Sequence, residues 1–269
     1  MVFETVLYEK SGYMGILRLN RPERMNAVIE QMYLDIQAVL AEARNDTHVR
    51  VLVLTGTVRK GPKGAKQAFC AGADLKKHAA GDRTLWQKRE YILLAHETTR
   101  LIYEFPKPVI VAVNGPARGA GTEMALNGDF IFMADTATIA FPETGLGTCV
   151  GGGATYHLTQ QVGMMRAKEL IFTGRIVHGP EAVAIGLALK SVPVEQLLPE
   201  VLSFASDLAE KAPISLSLTK ELIRQGPHRD METVLLAETE AILACMNTED
   251  WQTGIRSFAE KRKPVFKGR

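Results

Sequence analysis

The sequence predicts an α/β fold followed by an all-helical region, and three observations support this interpretation. Two short continuous apolar runs, Val49–Thr55 and Pro108–Asn114, are typical of strands that are buried on both faces of a parallel sheet. A helical segment lies between them, and strand–helix alternation of this kind predicts right-handed crossover units. Beyond about residue 195 the pattern is helical only, without a strand signal.

The elements of the first part follow one another along the chain. Alternating or β-branched patterns predict strands over Thr5–Lys10 and Met14–Leu19, with a turn signal at Ser11-Gly12 between them. Apolar residues at helical spacing predict a helix over Ile29–Arg44. The elements predicted after it are the strand Val49–Thr55, the helix Trp86–Tyr103, the strand Pro108–Asn114, a glycine-rich turn leading into a helix, and the strand Phe130–Ala134.

The last part of the chain predicts four amphipathic helices. They are Val194–Lys211, Ile214–Gln225, Met231–Cys245 and Thr248–Lys261. Apolar stripes on more than one face of these helices suit packing against other subunits. We therefore divide the chain into a core of residues 1–195, which carries the candidate functional residues described below, and a C-terminal region of residues 196–269 for oligomerisation and pocket closure.

Composition and charge narrow the class of protein. The 269-residue chain has a formal net charge of +2, because 32 basic residues nearly balance 30 acidic ones. This balance argues against a protein built to coat nucleic acid. The cysteines, Cys70, Cys149 and Cys245, lie far apart and indicate a reducing compartment. Neither a signal peptide nor an apolar stretch of bilayer length is evident, so a cytoplasmic location is expected.

Some patterns invite a cofactor interpretation that the sequence does not support. Gly56–Lys63 has the glycine spacing of a P-loop but lacks the Lys-Ser/Thr pair that binds phosphate and magnesium. Gly145–Gly151 has its third glycine one residue too late for a dinucleotide fingerprint. His157 and His178 have no second ligand at helix spacing, so no metal is expected.

Three segments rich in small residues carry the chemical signal. They are Phe69–Leu75, Asn114–Glu123, and Phe141–Gly147 with the glycines that follow it at 151–153. A small-residue turn between a strand and a helix exposes backbone N–H groups, which can bind negative charge that develops on a carbonyl oxygen. Two such turns could supply one donor each. For either turn alone, a tight turn that lets a helix approach the sheet is the favoured interpretation.

Two carboxylates accompany these turns. Glu123 lies in the first turn of the helix after the second segment, where a carboxylate also complements the helix dipole. Glu143 lies between Pro142 and a glycine-rich loop, where a turn-forming role is the alternative. Their combination with the amide-bearing turns makes them candidates for an acid–base pair.

Together the motifs FCAGADL, VNGPARGAGTE and FPETGLGTCVGGG resemble those of the enoyl-CoA hydratase, or crotonase, family. The resemblance extends from Leu19-Asn-Arg-Pro22 to the tail at residues 258–264. It implies a crotonase-like spiral of repeated ββα units with a helical C-terminal region. It also implies a coenzyme A thioester as substrate, with no separate cofactor.

In this family the two turns supply an oxyanion hole from the residues matching Ala73 and Ala120. Hydratases that resemble this chain carry glutamates at the positions of both Glu123 and Glu143, whereas many isomerases keep only the one at Glu143. The resemblance therefore implies hydration of a 2-enoyl-CoA. Glu123 is expected to activate water for attack on C3, and Glu143 is expected to supply the proton to C2.

The resemblance also implies how coenzyme A is bound and how subunits assemble. The residues expected to contact coenzyme A are Met25, Ala27, Ala71, Asp74 and Leu75, together with Lys263 from the tail of a neighbouring subunit. Relatives form trimers that often pair as hexamers, so a homotrimer or a dimer of trimers is expected.

The sequence leaves several alternatives open. The same scaffold hosts double-bond isomerases and hydrolases of CoA thioesters or cyclic ketones. An RNA-binding member of the family would use the basic loop Arg59–Lys66 and the basic tail. The insertion Thr57–Gln67, which contains that loop, could reach CoA phosphates or a neighbouring subunit, or be a surface loop. The sequence does not determine which acyl group the substrate carries.

Overall fold

A computed structural model of the chain describes residues 3–59, 65–76, 81 and 83–269. The strands among these residues are β1 (Val6–Ser11), β2 (Met14–Leu19), β3 (Val51–Gly56), β4 (Val109–Val113), β5 (Ala117–Arg118), β6 (Phe130–Ala134), β7 (Thr138–Ala140), β8 (Val177–His178) and β9 (Lys190–Val192). One sheet has the order β1-β2-β3-β4-β6-β9, and a smaller sheet has the order β5-β7-β8. In the larger sheet β1 and β2 are antiparallel, and every later neighbour pair is parallel.

The helices of the described residues follow the same order along the chain. They are α1 (Glu30–Asn45), α2 (Leu85–Tyr103), α3 (Ala120–Leu126), α4 (Ala154–Val162), α5 (Met164–Thr173), α6 (Gly179–Ala184), α7 (Val194–Ala209), α8 (Pro213–Gln225), α9 (Met231–Met246) and α10 (Glu249–Ala259). Helix α1 packs against β1, β2 and α2, while α7 packs across β2, β3, β4, β6 and β9. The sheet is therefore covered by helices, as an α/β fold requires.

The apolar runs of β3 and β4 form the centre of the core. Every residue of these two strands is buried, because each strand has a parallel neighbour on both sides. Their carboxyl ends meet at one edge of the sheet, with Thr55 opposite Ala112. Beyond this edge Asn114 hydrogen-bonds with its side chain to both the N–H and the C=O of Gly56, at 3.2 and 3.1 Å. The two chain segments that leave β3 and β4 are thus tied together.

The predicted α/β class is confirmed, and most predicted elements appear within a few residues of their expected bounds. The helix expected over Ile29–Arg44 is α1, and the strand expected over Phe130–Ala134 is β6. Strands β5, β7, β8 and β9, which have two or three residues each, were not predicted from the sequence. Strands this short cannot show an alternating pattern, since one or two repeats of a period of two are not distinguishable from chance.

The four predicted C-terminal helices are present as α7, α8, α9 and α10. Four residues of α7, namely Leu197, Val201, Ala205 and Ala209, belong to the buried core. Helix α9 is different, because none of its residues is buried although its sequence is largely apolar. The division into residues 1–195 and 196–269 stays a prediction.

Two expectations concern residues near the surface. The insertion Thr57–Gln67 begins and ends with described residues, and the backbones of Arg59 and Lys66 hydrogen-bond to each other in both directions. Its residues 60–64 lie outside the described residues, so the role of this segment stays a prediction. Within the described part of the chain, no helix combines the length and the apolar character needed to cross a bilayer.

Candidate active site

The turns that follow β3 and β4 lie directly against each other. Cys70 pairs with Ala117 in an isolated parallel bridge, and the Arg118 N–H donates to the Cys70 carbonyl at 3.0 Å. Gly72 has a φ of +88°, and a Cβ at this position would lie 2.7 Å from the Arg118 carbonyl oxygen. A Cβ on Gly121 would lie 2.7 Å from the Cβ of Cys70. Glycine is therefore required on both sides of this contact.

Each of these turns presents a backbone amide without an internal acceptor. Val28 donates to the carbonyl of Gly72 and accepts from the N–H of Asp74, so the N–H of Ala73 between them points away from Val28. Ala120 is the first residue of α3, where an N–H has no acceptor within the helix. Neither amide donates to an acceptor in the part of the chain that the structure describes. The helix dipole adds a partial positive charge at Ala120.

The residues predicted to contact coenzyme A lie beside the first turn. These residues are Met25, Ala27, Ala71, Asp74 and Leu75. The Ala71 N–H donates to the Met25 carbonyl at 3.0 Å, and Leu75 is exposed. A residue that supports this segment, Arg21, was not predicted from the sequence. Arg21 donates to the carbonyl of Ala27 at 2.5 Å and pairs with Asp74 at 3.3 Å.

Asn26 is a second supporting residue that the sequence analysis missed. It is fully buried, and its side-chain amide donates to the carbonyls of Thr57 and Ala68 at 3.0 and 2.9 Å. Its carbonyl oxygen accepts from the backbone N–H of Arg21 at 3.0 Å. No pattern in the sequence around Met25 and Ala27 indicates that the asparagine between them is buried.

Glu123 is held by the glycine-rich loop at residues 151–153. Its side chain is buried, and Oε1 accepts the Gly151 N–H at 2.7 Å. A Cβ on Gly152 would lie 2.7 Å from the Glu123 Cβ and 3.0 Å from Oε2. Burial raises the pKa of Glu123, and the hydrogen bond from Gly151 opposes this shift because it stabilises the ionised form.

Glu143 contacts the second turn from the segment that follows β7. It begins the 3₁₀ helix Glu143–Leu146 and is buried. Its Oε1 is 2.7 Å from the point that a Cβ on Gly119 would occupy, and Gly119 directly precedes Ala120. Its Oε2 is buried and has no hydrogen-bond partner among the described residues. A buried acceptor of this kind is costly unless it is protonated or meets a ligand.

The environments of the two carboxyls differ in the direction that an acid–base pair needs. Burial raises the pKa of Glu143, a hydrogen bond from its own backbone N–H opposes this shift, and the negative charge of Glu123 adds to it. Glu123 Oε1 accepts the Gly151 N–H, whereas Glu143 Oε2 has no hydrogen-bond partner among the described residues. The unpartnered Oε2 and the charge of Glu123 favour the protonated form at Glu143.

The structure does not bring Lys263 to this site within one chain. Lys263 is exposed and pairs with Glu210 at 2.6 Å. The tail that follows it returns to Arg50, whose guanidinium donates to the Phe266 carbonyl at 2.8 Å. Arg50 precedes β3, at the amino ends of the parallel strands, whereas both turns follow the carboxyl ends.

A cavity of about 400 Å³ lies between α8 and the core, and it contains none of the predicted site residues. Its walls include Tyr103, His157 and Lys220, and the Lys220 ammonium pairs with Asp129 at 2.7 Å. His157 also contacts the active-site loop, because a Cβ on Gly153 would lie 3.1 Å from its ring. No group of three or more His, Cys, Asp or Glu side chains in the described chain could hold a metal ion.

Burial of His157 predicts a loss of stability in acid. Burial lowers the pKa of His157 from 6.5 to about 4, so the unfolded chain binds the extra proton between these values. Stability therefore falls as pH drops through this window, by up to about 2 kcal/mol when allowance is made for partial solvent screening. Urea unfolding at about pH 7 and about pH 4.5 measures the difference, which His157→Gln should reduce. An equal acid loss in both proteins would contradict this assignment.

Comparisons with known proteins agree with this architecture. The family model for enoyl-CoA hydratase/isomerase matches residues 9–269. A crotonyl-CoA hydratase from Syntrophomonas wolfei is 35% identical over 266 residues, with 99% of each chain covered. A short-chain-enoyl-CoA hydratase from Clostridium acetobutylicum is 34% identical over 263 residues, which cover 98% of this chain and 97% of the relative.

Solved structures show the same fold. The crystal structure of an enoyl-CoA hydratase from Bacillus anthracis superposes with a TM-score of 0.92 at 34% identity, covering 99% of this chain and 100% of that one. A structure from Geobacillus kaustophilus gives a TM-score of 0.89 at 33% identity, with 99% of each chain covered. The similarity thus spans the whole chain, including the α/β core and the C-terminal helices. This chain is an enzyme of the enoyl-CoA hydratase/isomerase family and has the crotonase fold.

Proposed function

We propose that the chain is a hydratase that adds water across the 2,3 double bond of an enoyl-CoA thioester. The observation that carries the proposal is the pair of buried carboxyls, Glu123 and Glu143, beside a turn whose Ala120 amide has no acceptor among the described residues. Two relatives that align over nearly their whole length have names that describe hydratases, which supports the same reaction class.

The amides of Ala73 and Ala120 bind the thioester carbonyl in this mechanism. Two N–H donors stabilise the enolate-like charge that develops on this oxygen, and the dipole of α3 strengthens the donor at Ala120. The conjugated double bond is thereby polarised, and C3 becomes the electrophilic carbon. Because a backbone N–H does not depend on its side chain, alanine can serve at both positions.

The two glutamates move the protons. Ionised Glu123 accepts a proton from water as the water oxygen bonds to C3, and protonated Glu143 delivers its proton to C2. The product is a 3-hydroxyacyl-CoA. Proton exchange with solvent then restores the starting ionisation of the pair. The Gly151 N–H bonded to Glu123 and the unpartnered Oε2 of Glu143 support this assignment of acid and base.

Coenzyme A would lie along Met25, Ala27, Ala71, Asp74 and Leu75, with Lys263 supplied by a neighbouring subunit. The position of Lys263 at the far end of its own sheet supports delivery from another chain. The exposed apolar residues of α9, which include Leu235, Leu236, Ile242 and Leu243, support assembly as a homotrimer or a dimer of trimers. We place the enzyme in the cytoplasm.

Incubation with crotonyl-CoA tests the proposed reaction. We expect the absorbance of the conjugated enone to fall and one oxygen atom from isotopically labelled water to appear in the product. Free thiol, assayed with a disulfide reagent, should not increase. Release of free coenzyme A would identify a hydrolase. Conversion of a 3-enoyl-CoA without hydration of crotonyl-CoA would identify an isomerase, and either result would refute the proposal.

A further inference from the structure

Asn127 connects Glu123 to the loop that holds its carboxylate. It follows Glu123 by four residues and is almost completely buried. Its side-chain amide donates two hydrogen bonds, one to the Glu123 carbonyl at 2.8 Å and one to the Gly152 carbonyl at 2.7 Å. The same side chain therefore binds the backbone of Glu123 and the loop whose Gly151 N–H binds the Glu123 carboxylate.

The loop at residues 151–153 is otherwise held weakly by side chains. Apart from Glu123 and Asn127, no side chain in the described chain forms a hydrogen bond with these three glycines. Gly152 and Gly153 have positive φ values of +57° and +80°, which glycine adopts without strain, so the backbone of this loop is intrinsically free to move. Since Gly152 lies in contact with the Glu123 side chain, a shift of this loop changes both the position and the hydrogen bonding of the carboxylate.

We propose that Asn127 is a positioning residue that fixes the 151–153 loop and thereby the Gly151 N–H against the Glu123 carboxylate. This inference rests on the proposed role of Glu123 as the base. Without the amide of Asn127 the Gly152 carbonyl loses its side-chain donor, and the loop moves to find another partner. A displacement of about 1 Å in an acid–base group lowers the rate far more than it changes binding.

Loss of the Asn127 hydrogen bond changes the ionisation of Glu123 as well as its position. The titratable side chains near Glu123 are those of Glu143, Tyr33, Cys70 and His96, and the ring of His96 lies 3.1 Å from the point that a Cβ on Gly151 would occupy. None of them forms a hydrogen bond with Asn127. Loss of the Gly151 hydrogen bond removes a stabiliser of the ionised form of Glu123, so its pKa rises.

Asn127→Leu tests the inference, because leucine fills a similar volume without donors. Asn127→Ser is a second variant, since a serine hydroxyl can bond to the Glu123 carbonyl but is too short to reach Gly152. Gln37→Met is the matched control. The amide of Gln37 donates to Thr98 Oγ1 at 2.9 Å and so connects α1 to α2 without touching Glu123.

Both Asn127 variants should lower kcat roughly 10- to 100-fold, with KM changed by less than about threefold. The acid limb of the pH–rate profile should move to higher pH, because the base must be ionised to act. The amide of Gly151 should exchange with solvent at least about tenfold faster than in the unsubstituted protein. Gln37→Met should show none of these changes.

Hydrogen exchange separates failure of this inference from failure of the proposed reaction. Suppose first that the unsubstituted protein does not hydrate crotonyl-CoA. An unchanged rate of hydrogen exchange at the Gly151 amide in folded Asn127→Ser then still overturns the inference, and a faster rate supports it. If crotonyl-CoA is hydrated, an unmoved acid limb in both Asn127 variants overturns it. A decrease in kcat of equal size in Gln37→Met would assign the effect to general loss of packing and would also overturn it.

Discussion

Glu123→Gln and Glu143→Gln should each lower kcat for crotonyl-CoA hydration by roughly 100- to 10,000-fold, while the Kd for the substrate changes by less than about threefold. Glutamine keeps the size and burial of the side chain but can neither accept nor deliver a proton. Because the substituted groups act on protons rather than on the coenzyme, binding should persist. Steady-state kinetics together with calorimetric titration of crotonyl-CoA measure both quantities.

The pH–rate profile distinguishes the two substitutions. Activity of the unsubstituted enzyme should fall in acid as Glu123 is protonated, and in base as Glu143 is ionised. Burial raises both pKa values, and the charge of Glu123 raises that of Glu143 further. The residual activity of Glu123→Gln should lose the acid limb, and that of Glu143→Gln should lose the basic limb.

Glu195→Gln is the control for these substitutions, because Glu195 is an exposed glutamate at the start of α7. It should leave both kcat and the pH profile unchanged. The two-carboxyl mechanism would be refuted if both Glu123→Gln and Glu143→Gln hydrated crotonyl-CoA at the rate of the unsubstituted enzyme. Exchange of the two limbs between these variants would reverse the assignment of acid and base.

Gly121→Ala should be the most damaging single-methyl change at this site. The added Cβ would collide with the carbonyl oxygen of Cys70 and lie 2.7 Å from the Cβ of Cys70. Both neighbours belong to the chain segment that carries Ala73, so the two turns must separate. Separation moves the N–H groups of Ala73 and Ala120 out of alignment with each other. We therefore expect kcat to fall roughly 100-fold or more. Strain should also lower the free energy of unfolding by about 1–3 kcal/mol.

Gly226→Ala is the matched control for Gly121→Ala. Gly226 has a helical φ of −52°, and no atom lies within 4 Å of the point that its Cβ would occupy. It should leave kcat unchanged and should not lower the free energy of unfolding, because alanine adopts a helical φ without strain. If Gly121→Ala kept full activity while its urea midpoint fell, the contact between the turns would serve stability alone.

The fold was predictable where local pattern and burial coincide. The strands β3 and β4 are buried at every residue, so their apolar runs are visible in the sequence. The helix α1 places Met32, Ile36 and Val39 in the core at helical spacing, which is the signal that predicted it. The short strands of the smaller sheet have no such signal, because their pairing depends on tertiary contacts.

The candidate site was predictable only in part, and the missed residues share a physical cause. Asn26, His96 and Asn127 are polar residues that belong to no sequence motif. Their contact partners lie either far away in the chain or within one turn of the same helix, and residue spacing reveals neither. Lys263 illustrates the opposite case, since its charge is evident in the sequence but its location is not. The tail that carries Lys263 lies near the amino ends of the parallel strands, away from the two turns at their carboxyl ends.

By itself the sequence determined the α/β class, the two small-residue turns and the presence of a glutamate beside each glycine-rich segment. These features depend on local backbone preference and on the burial of apolar side chains, which residue type and spacing report directly. Only the tertiary structure decided that Gly119 lies against Glu143 and that Gly151 holds Glu123. Those contacts join segments more than twenty residues apart, and packing of the parallel strands and their helices brings them together.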